Sequence, residues 1–315
     1  VVHTTGVDGP TTTAPIGSSV WAASEAERLL RDLPRKWAHT REVARHAGWA
    51  AAGVPPGRRD LLVAAAYLHD IGYADDIAGT GFHPLDGARH LRDLGLFDLA
   101  CLVAHHSGAA VEAAHRGLGA ELAEFPRPVD AVADAVTYAD VTSGPTGDAV
   151  EPGDRLSEIL QRHGPDSIVA ASRSEARPLL YAAVARTLRR ATAARPLPAP
   201  LLMTPVQLGC TVLLRFHGTL DADTTGHAVR SLQDALSSDT HAVVCDLALV
   251  SHLAPAAARA LAAVVTDGRH LEADPVVTLL DVPSAHQHTL RAAFPGHQKP
   301  PLVSGIENAL VPHCT

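Results

Sequence analysis

The chain ends an apolar run, Leu61-Leu62-Val63-Ala64-Ala65-Ala66-Tyr67-Leu68, on His69-Asp70. Burying a carboxylate without a partner costs several kcal/mol or drives the group to its neutral form. A divalent cation removes that penalty by binding the carboxylate and the imidazole together. Other positions could complete its ligand set. His39 lies one helical turn before Val43, on the buried edge of its segment. His83 precedes an amphipathic run, His105-His106 closes another, and Asp140 follows Val132 and Val136 on one stripe. Each is a polar group among core-type residues. Neutral imidazoles and carboxylates suit Mn, Fe or Mg and leave coordination positions open for water and substrate oxygens. A cation held this way lowers the pKa of water and makes it a nucleophile.

Helices must bring these residues together. Residues 19–195 carry Ala, Leu, Val and Arg at helical spacing without strand-like alternation. Helices are expected over 25–33 with Ser24 as cap, 38–51, 58–69 closed by Gly72, 85–94, 97–106, 109–116, 128–141, 155–163 and 175–193. Residues 1–18, rich in Thr, Gly and Pro, are expected to be disordered. A Pro-rich stretch, 196–206, reads as a stiff linker. Beyond it, apolar runs at 210–216, 242–247 and 275–281 read as buried strands, alternating with helical runs at 222–237, 255–267 and 284–294. The expected architecture is an all-α bundle, a linker, a small α/β domain over 207–298 and a tail over 299–315.

The ordered set His39, His69-Asp70, His83, His105-His106, Asp140 resembles the HD-domain family of metal-dependent phosphohydrolases, over about residues 20–190. The resemblance implies an all-helical fold. His39, His69, Asp70 and Asp140 would form the one-metal set, and His83 with His105 or His106 would extend it to a second ion, bridged by Asp70. His106 is the favoured member of its pair, because Leu102 precedes it by one turn on a core-facing stripe. Asp70, His83 and His106 are the expected catalytic residues, with one or two divalent ions (Mn, Fe or Mg) as cofactor. Asp86 or Thr142 could orient a ligand, and Arg41, Arg89 and Arg116 are near enough in sequence to meet an anionic substrate. His46, His90 and His115 read as ordinary satisfied histidines, so that replacing His46 should be nearly neutral.

Residues 207–298 resemble the STAS fold of sulfate transporters and anti-sigma-factor antagonists. The matching phrases are Phe216-His217-Gly218-Thr219-Leu220-Asp221 and Val244-Cys245-Asp246-Leu247, with the loop that follows. That family carries an Asp and a phosphorylatable Ser before its helix. Here Ala254 and Ala256 stand in those places, and alanine has no hydroxyl to accept a phosphoryl group. The resemblance therefore implies a docking, dimerisation or ligand-sensing role.

The bulk composition narrows the function. The 315 residues carry a formal net charge of −8, without a basic arm or stripe suited to nucleic acid. No window approaches the length of a membrane span. Cys101, Cys210, Cys245 and Cys314 lack metal-finger spacing, and no stretch reads as a signal peptide, so the expected location is the cytoplasm. The resulting expectation is a hydrolase acting on a nucleotide or related phosphate ester, with a small phosphorylated substrate and a protein partner or self-association through the second domain. Two alternatives stay open. One is a signalling module whose STAS-like domain binds an anti-sigma factor or kinase-like partner, and the other is a di-iron oxygenase on the HD fold.

Overall fold

The computed structural model describes residues 14–197, 199–237, 240–268, 275–294 and 299–310. The helical part comprises α1 (Ser19–Leu30), α2 (Pro34–Ala50), α3 (Arg59–Leu68), α4 (His83–Asp93), α5 (Phe97–His105), α6 (Ala109–Arg116), α7 (Gly119–Leu122), α8 (Ala131–Val141), α9 (Pro152–His163) and α10 (Ile168–Ala193). Side-chain caps and prolines set several starts. Ser18 accepts from the Trp21 amide, Asp130 from the amides of Val132 and Ala133, and Ser167 from that of Ala170. Pro34 and Pro152 each open a helix, where a missing N–H leaves no bond unmade. Ser24, expected to cap α1, lies inside it and turns its hydroxyl to the Val20 carbonyl. Of the stretch 1–18 expected to be disordered, residues 1–13 lie outside the described residues, and Ser18 belongs to the first helix cap.

The second part runs β1 (Leu201–Leu208), β2 (Thr211–Leu220), α11 (Ala222–Ser237), β3 (Ala242–Leu253), α12 (Pro255–Gly268), β4 (Val276–Leu280), α13 (Ser284–Ala293), β5 (Leu302–Val303) and α14 (Ile306–Leu310). The strands form one sheet in the order β1-β2-β3-β4-β5. The first pair is antiparallel and the others are parallel. Two sequence expectations change here. The linker drawn over 196–206 ends early, because residues from Leu201 onward pair with β2 in register from Leu201↔Gly218 to Leu208↔Thr211. Pro205 masked this strand, yet a proline is tolerated at a sheet edge, where one side of the strand has no ladder. The tail drawn over 299–315 is partly ordered, since Leu302–Val303 joins the sheet and Ile306, Ala309 and Leu310 are buried. Cys314 lies outside the described residues.

The two parts share one core. Val206, Leu208, Leu213, Val244 and Leu280, on one face of the sheet, belong to the same apolar cluster as the helices. The other face packs in a separate cluster with α11, α12 and α13. Charge reinforces the join. The Arg189 guanidinium on α10 donates to Asp246 through Nε at 3.0 Å and to Asp281 through Nη1 at 2.8 Å. On the same helix Arg186 grips Asp134 of α8 with two nitrogens, at 2.9 and 2.6 Å, and Arg190 adds a third contact at 2.7 Å. Asp134 and Asp140 sit on one helix, so α10 steadies the element that carries a candidate ligand.

Among the described residues no helix is long and apolar enough to cross a membrane. Burial pushes the Cys245 thiol up to about 12, which leaves it protonated and inert at neutral pH.

Removing one side of a buried ion pair strands the other. Arg189→Ala should lower stability by about 3 kcal/mol through the uncompensated Asp246 carboxylate, read as a shift in the urea midpoint. It should also speed proteolytic cleavage at residues 195–200 as the sheet loosens from α10.

Candidate metal centre

Six side chains from five elements converge. His39 comes from α2, His69 and Asp70 from the end of α3, His83 from the first position of α4, His106 from the turn after α5, and Asp140 from α8. His39, His69 and Asp70 each offer a ligand atom within 4.8 Å of the others, and so do Asp70, His83 and His106. Asp70 is common to both groups.

Gly72 makes the second group possible. A Cβ at this position would lie 2.0 Å from the His83 carbonyl oxygen and 2.7 Å from the Gly87 amide nitrogen. Glycine alone lets α4 come down on the turn after Asp70, and so brings His83 Nε2 to 3.2 Å from Asp70 Oδ1.

The imidazoles share one orientation. His39 Nδ1 faces the Gly144 carbonyl at 3.0 Å, His69 Nδ1 that of Ala66 at 2.8 Å and His106 Nδ1 that of Val103 at 2.6 Å. A carbonyl oxygen can only accept, so each Nδ1 carries the proton and each Nε2 presents a lone pair to the site. Those lone pairs meet a carboxylate and a further imidazole. His39 Nε2 lies 3.1 Å from Asp140 Oδ1, and His106 Nε2 lies 3.3 Å from His83 Nε2. His69 is fully buried, and its Nε2 has no hydrogen-bond partner. The carboxylate oxygens nearest to it are Asp70 Oδ1 at 3.6 Å and Asp140 Oδ1 at 4.0 Å. A cation placed among these lone pairs and carboxylates would satisfy both at once. The donor set therefore fits a divalent metal, with nitrogen ligands fixed from behind by backbone carbonyls.

The electrostatics point the same way. Burial works against the Asp70 carboxylate, but Lys36, His69 and His83 hold its pKa well below the usual range. Burial likewise opposes an ionised Asp140, and the imidazoles around it, His39 first and then His69 and His106, outweigh burial and hold its pKa well below the usual range. His106 is pushed down to about 3 by burial first and then by His83 and His69. Ligands must shed protons before they bind a metal, and these carboxylates and His106 are already in that form at neutral pH.

Four supporting residues were not legible in the sequence. Lys36 Nζ lies 3.1 Å from Asp70 Oδ2 and 3.5 Å above the Tyr73 ring. Tyr73 in turn stacks on His83 with ring centroids 4.0 Å apart. Ser107, in the left-handed region with φ 46°, donates its hydroxyl to Asp140 Oδ2. Arg173 of α10 donates to the Ser107 carbonyl. A lysine beside a tryptophan, and an arginine more than sixty residues from the serine it holds, give no local signal.

Other expected residues lie elsewhere. His105 turns away and its Nε2 meets the Phe125 carbonyl at 2.7 Å, which leaves His106 in the site. The helix ends between the two, so adjacent histidines diverge. Asp86 accepts from the Thr80 amide and hydroxyl, Thr142 pairs with His46, and neither bonds to a ligand residue. Arg41 lies over Trp37, and Arg89 pairs with Glu124 on the surface, whereas Arg116 does line the cavity at the metal centre.

Residues 37–145 match the family model of the HD domain. The superfamily consists mostly of metal-dependent phosphohydrolases, and the six converging side chains all fall inside the matched segment. The HD domain starts one residue after Lys36 and ends before α9 and α10, so those helices add to its site from outside the match. No curated protein matches the chain.

His46 is the satisfied histidine that the sequence suggests, but its burial changes what replacing it should do. It is 8% exposed, its Nδ1 lies 2.7 Å from the Thr142 hydroxyl, and its Nε2 lies 3.2 Å from Glu42. The Thr142 hydroxyl donates to the Tyr138 carbonyl and so accepts from His46. His46→Ala is therefore expected to destabilise by about 1–3 kcal/mol through the partners it strands, measured by urea unfolding, with the metal content kept.

The depressed His106 pKa also sets a pH dependence. Between its folded value of about 3 and the unfolded value near 6.5, the unfolded chain binds the extra proton, so stability falls as pH falls. Metal-free protein should lose about 2 kcal/mol between pH 7.5 and pH 5 from this group alone. His106→Gln should flatten that slope in urea titrations at the two pH values.

Proposed function

We propose that the chain is a metal-dependent phosphohydrolase acting on a phosphate ester, with a nucleotide among the substrates to be tried. The observation that carries this reading is the buried, unpartnered Nε2 of His69 between two ionised carboxylates, within a segment that matches the HD domain. His39, His69, Asp70 and Asp140 would hold one ion, and Asp70, His83 and His106 a second. A cation there would supply Lewis acidity toward the phosphoryl oxygens and the attacking water.

The chain's own residues do the rest. Asp70 and Asp140 stay ionised and can accept a proton from water. Ser107 fixes the Asp140 carboxylate by its second oxygen. Lys36 and Arg116 place positive charge on the wall of the same cavity, where ester oxygens would enter. Hydrolysis forms a P–O bond from water and breaks the ester P–O bond, and the water proton ends on the departing alcohol oxygen.

The second domain is read as a STAS-like docking or regulatory unit. Its mixed five-stranded sheet backed by helices makes it a small α/β domain, and the STAS-like reading rests on the sequence phrases alone. With Ala254 and Ala256 around the start of α12, it would work through a protein partner or self-association and not through phosphorylation there.

Elemental analysis of the purified full chain should find Mn, Fe or Mg at about one or two ions per chain. With that metal, a panel of phosphomonoesters, phosphodiesters and cyclic nucleotides should include a substrate. Asp70→Asn should lower both metal content and turnover, the latter by at least about a hundredfold. A chain that takes up none of these ions and cleaves no ester would refute the reading.

A further inference from the structure

We propose that the cavity at the metal centre takes a small phosphate ester bearing a second acid group, a phosphate or a carboxylate, and that Arg155, Arg162 and Arg173 receive that second anion. The inference rests on the reading of the ligand end of the cavity as the place of the phosphate to be hydrolysed.

The cavity has a volume of about 130 Å³ and opens to solvent, and its wall is continued by α9 and the start of α10. Charge is unevenly matched along that wall. Lys36 is paired with Asp70 at 3.1 Å and Arg116 with Glu112 at 2.8 Å. Arg155 and Arg162 share the single carboxylate of Glu158, the second at 3.5 Å. Among the described residues no carboxylate pairs with Arg173, whose Nη1 is spent on the Ser107 carbonyl. Three guanidinium groups thus face one carboxylate.

Part of the surplus is buried. Arg155 is 8% exposed, and the Nε atoms of Arg155 and Arg173 are buried with no hydrogen-bond partner. Unmatched guanidinium donors in a sheltered cavity favour an anion, and their planar fork fits carboxylate and phosphate alike.

The wall offers little to a nucleobase. Base stacking needs an open aromatic face. Tyr73 keeps 40% of its surface exposed, but His83 stacks on its ring at 4.0 Å between centroids and the Lys36 ammonium lies 3.5 Å from its ring centre. Phe82, the other lining phenyl ring, is 1% exposed. The second recognition element is therefore charge and not a ring.

Calorimetric titration of the full chain, loaded with manganese, tests this with matched ligands. The pairs are phosphoglycerate against glycerol phosphate, and fructose bisphosphate against fructose monophosphate. The first pair probes a carboxylate and the second a phosphate. In at least one pair the two-anion member should bind about tenfold tighter or more. Arg162→Gln, at a side chain 45% exposed and so safe for folding, should reduce that preference severalfold, and Arg155→Gln combined with it should abolish it. Equal affinities within both pairs, or a preference that Arg162→Gln leaves untouched, would overturn the proposal. Release of phosphate, followed separately, tests the hydrolase reading: binding preference without any ester cleavage would sink that reading and keep this one.

Discussion

The lone pairs of His39, His69 and His106 all point into a space walled by ionised carboxylates, and that space has to hold positive charge. Everything else in the helical part is arranged around this demand. Backbone carbonyls behind each ring fix the tautomer, so the donors cannot escape the conflict by flipping. Lys36 relieves part of it at Asp70, yet His69 Nε2 stays unpartnered at full burial. An interior that leaves such an atom exposed to two carboxylates is organised for a ligand and not for maximal stability.

The converging histidines and aspartates were legible in the sequence because each interrupts an apolar helical pattern at a place where only a partner justifies a polar group. His69-Asp70 after eight apolar or aromatic residues is the clearest instance, and Asp140 on the Val132 and Val136 stripe is another. The choice between His105 and His106 turned on where α5 ends, which periodicity alone could only favour. What surrounds the ligands was hidden. Lys36, Ser107 and Arg173 come from three separate elements and gain meaning only when α2, the turn after α5 and α10 meet. His46 is the satisfied histidine that its helix suggested, yet nothing near it announces that Thr142 and Glu42 will close on its ring and make its loss costly.

In the sheet, the central strands stood out as Val- and Leu-rich runs. The first strand did not, because Pro205 breaks its pattern and only its edge position excuses the proline. The last elements were too short for any period to emerge, although Ile306 and Leu310 finish the core against α10. Short segments of this kind take their structure from what they pack on, and sequence patterns record that poorly.

The shared core has a consequence for how the molecule can be divided. Val206, Leu208 and Leu280 shield apolar helices that the HD-like half cannot cover by itself, and Arg189 is left facing water if the sheet is gone. A chain severed at the proline-rich junction would present that bare flank to solvent and invite clumping. The reach of one helix, from Arg173 at the hollow beside the candidate metal centre to Arg189 at the strands, makes the two halves a single mechanical body rather than beads on a string.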